Sequence, residues 1–141
     1  IVSISCGICQ GLGLGDNTLA ALLTRGLQEI KRLGKLYGAE QETFSGLSGI
    51  GDLMVTAFSK FSRNRHVGFM IGKGKNLENI LKDMNMVAEG VYTTKSVYNI
   101  AMKEKLNMPI CIETYKVLFN SKSPKDAIND LMNRDLINEN H

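Results

Sequence analysis

The chain predicts an all-helical domain, and three observations carry that prediction. Apolar residues recur three and four positions apart over residues 16 to 37, the period of a helix with one buried face. Pro109 and Pro124 each open a further apolar segment, and the first turn of a helix accepts proline because its missing N–H had no intrahelical acceptor anyway. Alternating, β-branched stretches bounded by turn residues are almost absent, so strands have little support.

Taken in order, residues 1 to 10 are ambiguous. Val2, Ile4, Cys6 and Ile8 alternate like a strand, while Ile1, Ile4 and Ile8 also fit one face of a helix. From 16 to 37 the signal is clear: Leu19, Leu22, Leu23, Leu27, Ile30, Leu33 and Tyr37 form the stripe, with Arg25, Lys31, Arg32 and Lys35 off it. Asp16 or Asn17 can cap the start and Gly38 can end it. Further helices are expected near 40 to 45, 47 to 57, 62 to 72, 76 to 83, 89 to 104, 110 to 119 and 124 to 134. With no linker, repeat or low-complexity stretch, the expectation is one domain over residues 1 to 141, built around the 16 to 37 helix.

A chain of 141 residues can bury a real core, and 43% hydrophobic with 22% charged residues is ordinary for a globular protein. No apolar run approaches the roughly 18 to 20 residues that span a bilayer. The opening Ile-Val-Ser-Ile-Ser-Cys-Gly-Ile-Cys is short and has no basic leader, so it does not read as a signal peptide, and Ile1 is expected to be an internal residue of a longer chain. The net charge of +3 has a local source in Lys60, Arg63, Arg65, Lys73 and Lys75. A small anion explains that excess as well as a polymer does. Nucleic acid would want a broader basic stripe with stacking aromatics, whereas there is no Trp, and Phe58, Phe61 and Phe69 are spaced to suit a helix core.

Three motifs invite chemistry and fail on inspection. Cys6 and Cys9 form C-x-x-C, yet zinc would need two more ligands and only Cys111, His66 and His141 are on offer. Small residues on a packed helix face explain the pair better, and three reduced thiols suit the cytoplasm. Gly11-x-Gly13-x-Gly15-Asp16 does not complete G-x-G-x-x-G, and Gly72-Lys73-Gly74-Lys75 lacks the spacing and hydroxyl residue of a phosphate loop.

Residues 46 to 65 are different. Gly46, Gly49 and Gly51 allow close approach, Asp52 follows on a helix with Thr56 one turn later on the same face, and Ser62, Arg63 and Asn64 supply a hydroxyl, a planar guanidinium and an amide in succession. That set suits an anionic, oxygen-rich ligand such as a phosphate ester. Read alone, Asp52 equally fits a cap or an ion pair, and Arg63-Asn64-Arg65 a solvated turn.

The segment does not stand alone. Gly11-Leu12-Gly13-Leu14-Gly15-Asp16-Asn17-Thr18, Thr24-Arg25-Gly26-Leu27-Gln28-Glu29, Val87 to Gly90 and Met108-Pro109-Ile110 occur in the same chain. Together with residues 46 to 65, they make the chain resemble the C-terminal, substrate-binding domain of the bacterial-type NAD(P)-dependent glycerol-3-phosphate dehydrogenases, over residues 1 to about 134. The resemblance implies a multi-helix fold like that of the glycerol-3-phosphate and 6-phosphogluconate dehydrogenase C-terminal domains, with residues 1 to 10 helical. It implies interconversion of glycerol 3-phosphate and dihydroxyacetone phosphate by hydride transfer with NAD or NADP. The cofactor would be bound mainly by a separate N-terminal domain, in a cytoplasmic homodimer with no metal, nucleic acid or membrane span.

The resemblance also places roles. Asp52, Thr56, Ser62, Arg63 and Asn64 would meet the substrate, and Arg63, Val87 and Glu89 the cofactor. The general acid/base would be a lysine in a Lys-Asn pair ahead of Ile1, which Asp52 orients. First-turn helix stabilisation explains Glu89 about as well. Gln10 departs from the acidic residue expected there. The rival reading is a free-standing helical module that binds phosphorylated ligands or nucleic acid without catalysis.

Overall fold

A computed structural model describes residues 1–134, and among these there are eight α-helices and no strand. Helix α1 (Val2–Gly11) is buried at every position but Gln10. A helix apolar on all sides carries no stripe, which is why its sequence fits two periods at once. It is also the centre of the domain, a place the sequence gives to the 16 to 37 helix.

What lies against α1 is backbone. Helix α4 (Arg63–Gly72) crosses it so closely that a Cβ on Gly68 would fall 1.9 Å from the Ile4 carbonyl oxygen, and one on Gly7 would fall 2.1 Å from that of Arg65. Gly11 and Gly72 repeat the contact one turn on, at 2.3 Å from the Phe69 oxygen and 2.5 Å from the Ile8 oxygen. Glycines four apart share a helix face, so the two pairs form one seam with no side chain between the helices.

Helix α2 (Asp16–Leu36) buries Leu19, Leu22, Leu23, Gly26 and Glu29, with Leu27, Ile30 and Leu33 half-buried. Its cap position is Gly15, so Asp16 stands in the first turn and caps nothing through its side chain. Gly38, at φ +77°, closes the helix in the left-handed conformation that glycine adopts at least cost, and the Ala39 N–H reaches back to the Gly34 carbonyl at 2.9 Å. Tyr37, expected on the stripe, is 68% exposed because the chain has already turned away there.

The helix expected over 47 to 57 is two pieces. A 3-10 stretch (Gln41–Ser45) leads into a π turn (Leu47–Gly51), and only then does α3 (Asp52–Phe58) begin. Gly49 sits on the Phe44 carbonyl, closer than any Cβ would allow, and the wider turn accommodates that approach. Helices α5 (Leu77–Asp83), α6 (Glu89–Glu104), α7 (Pro109–Phe119) and α8 (Pro124–Met132) complete the fold. Both prolines occupy the first helical position.

Polar groups cross the core in pairs. The Ser5 and Thr114 hydroxyls meet at 2.7 Å between α1 and α7, and Lys122 joins Glu113 of α7 to Asp130 of α8. The carboxylate of Glu29, only 3% exposed, accepts from the Ile110 N–H at 2.6 Å and the Cys111 N–H at 3.1 Å, so α2 caps α7 from a distance. Cys6, Cys9 and Cys111 are buried free thiols, and burial pushes them up to about 11, 12 and 12. Cys6 and Cys9 are therefore packing residues. No group of His, Cys, Asp and Glu among the described residues could hold a metal, and His141 lies outside those residues.

Candidate functional site

A cleft of about 430 Å³ opens where three helix ends meet. The far part of α3 contributes Val55 and Thr56, the turn into α4 contributes Ser59 and Phe61, α4 begins with Ser62, Arg63 and Asn64, and the run into α6 gives Met86, Val87 and Glu89. Six of the seven residues singled out in the sequence line it. The exception is Asp52, an exposed residue at the start of α3 whose side chain does not line the cleft. Its backbone carbonyl accepts from the Thr56 hydroxyl at 2.9 Å, which fixes the rotamer of Thr56.

Each cleft side chain is held for a local reason. Ser62 is the N-cap of α4: its Oγ accepts from the Arg65 N–H at 3.2 Å, leaving the hydroxyl proton free to donate. Arg63 and Asn64 follow in the first turn, where a helix leaves its N–H groups without intrahelical acceptors and presents the positive end of its dipole. The guanidinium of Arg63 is exposed and lies 3.4 Å from the Met86 sulfur, so it spans from α4 to the 86–89 edge. A backbone donor set, a guanidinium and a hydroxyl thus face one volume, which is the chemistry of anion capture.

Asn64 does more than its sequence suggests. Its Oδ1 accepts the Gly90 N–H at 2.9 Å, joining the starts of α4 and α6 and leaving its amide protons for a ligand. Gly90 has to be glycine for this, since a Cβ there would stand 2.6 Å from that same oxygen. Glu89 opens α6, exposed, in the dipole-favoured first turn, and Val87 beside it is 57% exposed. A carboxylate that can accept N–H or O–H, an apolar side chain and the Arg63 fork thus stand together in the cleft wall.

Val55, Ser59, Phe61 and Met86 were not foreseen as cleft residues. Ser59 could have been, because it continues the Asp52–Thr56 face by one turn, and Val55 lies beside that face. Phe58 and Phe61, expected in the core, are 48% and 84% exposed, and Phe69 is half-buried, flanked by the Arg65 guanidinium and the Lys73 ammonium at 5.8 and 5.4 Å from its ring. The three fall on different elements, the end of α3, the turn after it and α4, so their spacing marks no shared helix face, and only Phe61 lines the cleft.

The family model described as NAD-dependent glycerol-3-phosphate dehydrogenase C-terminus matches residues 1–129. Glycerol-3-phosphate dehydrogenase [NAD(P)+] of Thermoanaerobacter sp. is 53% identical over 100% of this chain and 43% of its own length. The enzyme of that name from Limosilactobacillus reuteri is 52% identical over 99% of the chain and 41% of its own length. The crystal structure of glycerol-3-phosphate dehydrogenase from Coxiella burnetii superposes with a TM-score of 0.91 at 38% identity, covering 94% of this chain and 41% of that one. A Plasmodium falciparum structure, at 21% identity and a TM-score of 0.85 over 96% of this chain and 40% of its own, shares the fold. The chain thus spans about two fifths of the length of the relatives it matches. With its α1-centred helical fold, it belongs to the family of NAD-dependent glycerol-3-phosphate dehydrogenase C-terminal domains.

Proposed function

We propose that this domain is the substrate side of an enzyme that interconverts glycerol 3-phosphate and dihydroxyacetone phosphate with NAD or NADP. The observation that supports it most is the convergence of the Arg63 guanidinium, the Ser62 hydroxyl and the open first turn of α4 on one cleft. A dianionic phosphate is neutralised there by charge-assisted contacts, about twice as strong as neutral ones. The amide protons of Asn64 donate to a neighbouring oxygen, and the Thr56 oxygen, whose proton is already given to the Asp52 carbonyl, accepts from a substrate hydroxyl, holding C2 at a fixed distance from the Val87–Glu89 edge. Val87, Glu89 and Arg63 would hold a nicotinamide at that edge, and the group would supply the hydride acceptor or donor for C2. The alcohol proton goes to a group in the part of the enzyme that joins this domain, following the lysine the resemblance implies, with Asp52 as the carboxylate that orients it.

Leu47, Met54, Val55, Phe58 and Phe61 are exposed apolar side chains, with Val55 and Phe61 in the cleft wall itself, and such surface is the kind a second domain covers. The same reading makes the enzyme a cytoplasmic homodimer, which light scattering and cell fractionation test. The decisive experiment is Arg63→Ala in the full-length protein. Loss of the fork should lower kcat/KM for glycerol 3-phosphate roughly 10- to 100-fold. Unphosphorylated glycerol should suffer far less, and equal proportional losses for both would overturn the phosphate assignment.

A further inference from the structure

Arg65 lies one helical step beyond the cleft residues, and its partners are unusual for an arginine. Its Nε donates to the Gln10 Oε1 at 2.5 Å, and its guanidinium carbon stands 5.8 Å from the Phe69 ring centroid. Its backbone N–H is the one that Ser62 caps. Among the described residues no carboxylate lies within ion-pair distance of Arg65, Arg63 or Lys60. Among the described residues the only acidic side chain lining the cleft is Glu89, on the opposite, α6 edge.

We propose that Arg65, clamped between Gln10 and Phe69, is a positioning residue for the anion end of the cleft, fixing the first turn of α4 while keeping its own charge unneutralised. The clamp ties that turn to the end of α1, so Ser62, Arg63 and Asn64 are presented from a fixed base. A neutral amide holds the guanidinium as a carboxylate would, but leaves its field intact. A phosphate within about 10 Å then feels two arginines while touching one.

This inference rests on the phosphate reading of the cleft, and the test separates the two. In the full-length enzyme, Gln10→Glu keeps an acceptor oxygen for Arg65 and cancels the charge. KM for glycerol 3-phosphate should rise about two- to five-fold at low ionic strength, and the rise should shrink in salt as screening takes over. The effect on kcat should stay within about two-fold, since no group touching the substrate is altered. Arg65→Gln should raise KM with the same salt dependence and lower kcat too, because the turn loses its anchor; Arg65→Lys should restore the KM and not the kcat. An unchanged KM in Gln10→Glu at low ionic strength, or an equal rise for unphosphorylated glycerol, would overturn the proposal. If Arg63→Ala meanwhile keeps its phosphate-selective loss, this inference fails alone; if Arg63→Ala shows no selectivity, both fall.

Discussion

Two residues near the cleft separate chemistry from scaffolding. Asp52 does not line the opening, yet Thr56 is fixed by its carbonyl and it stands one turn away on the same helix. If it orients the acid/base group, Asp52→Asn should lower kcat by roughly 10²-fold or more in the full-length enzyme with the melting temperature preserved. Normal turnover would make it a surface residue at a helix start. Gly90→Ala sets two terms against each other. Alanine gains roughly 0.5 to 1 kcal/mol of helix propensity, while its Cβ must push Asn64 off the Gly90 N–H. Stability should therefore change by less than about 1 kcal/mol, and kcat/KM should fall with the displaced amide; full activity would show that Asn64 does not depend on this bond.

The contiguous set Ser62, Arg63, Asn64 was legible because neighbours in sequence at a helix start must share a location. Asn64's bond to Gly90 and Arg65's bond to Gln10 were not, since their partners stand 26 and 55 positions away and no local pattern encodes the pairing.

At the scale of elements, legibility followed exposure. Helix α2 was plain because one face is wet, and α6 matched its expected bounds of 89 to 104. Helix α1 was ambiguous because almost all of it is dry. The tie from α2 to α7 was invisible, and it has a measurable signature. Burial raises the Glu29 carboxyl from its ordinary 4.5 to about 7, outweighing the two backbone N–H groups and the nearby Arg32 and Arg134, which pull it down. A carboxyl raised in the folded state is stabilising while protonated. Its contribution is fully present below about pH 4.5, is lost as pH rises through about 7, and amounts to about 3 kcal/mol. Glu29→Gln cannot ionise, so the stability of wild type relative to the variant should fall as pH rises from 5 to 7.5. A gap that stays constant in chemical denaturation across that range would mean Glu29 does not titrate there.

For the molecule as a whole, the helical class could be read from periodicity, whereas the centre of the fold could not. The purified 141-residue chain should show no NADH-dependent reduction of dihydroxyacetone phosphate, because its described residues form helices and no strand, and so hold no dinucleotide-binding sheet. Measurable turnover by the chain alone would refute this.

The glycine seam between α1 and α4 has a mechanical meaning. Two helices in backbone contact cannot move closer, and sliding would drive carbonyl oxygens into neighbouring Cα atoms, so the pair behaves as one stiff beam. The cleft's α4 wall is mounted on that beam. The opposite side, α3 and the exposed 37 to 51 excursion before it, has no such support. Any change in the width of the opening when a ligand enters must then be travel of α3, or of the 86–89 run, toward a stationary anvil, and deuterium uptake should register it in residues 45 to 58 or 84 to 89 while 63 to 72 stay silent.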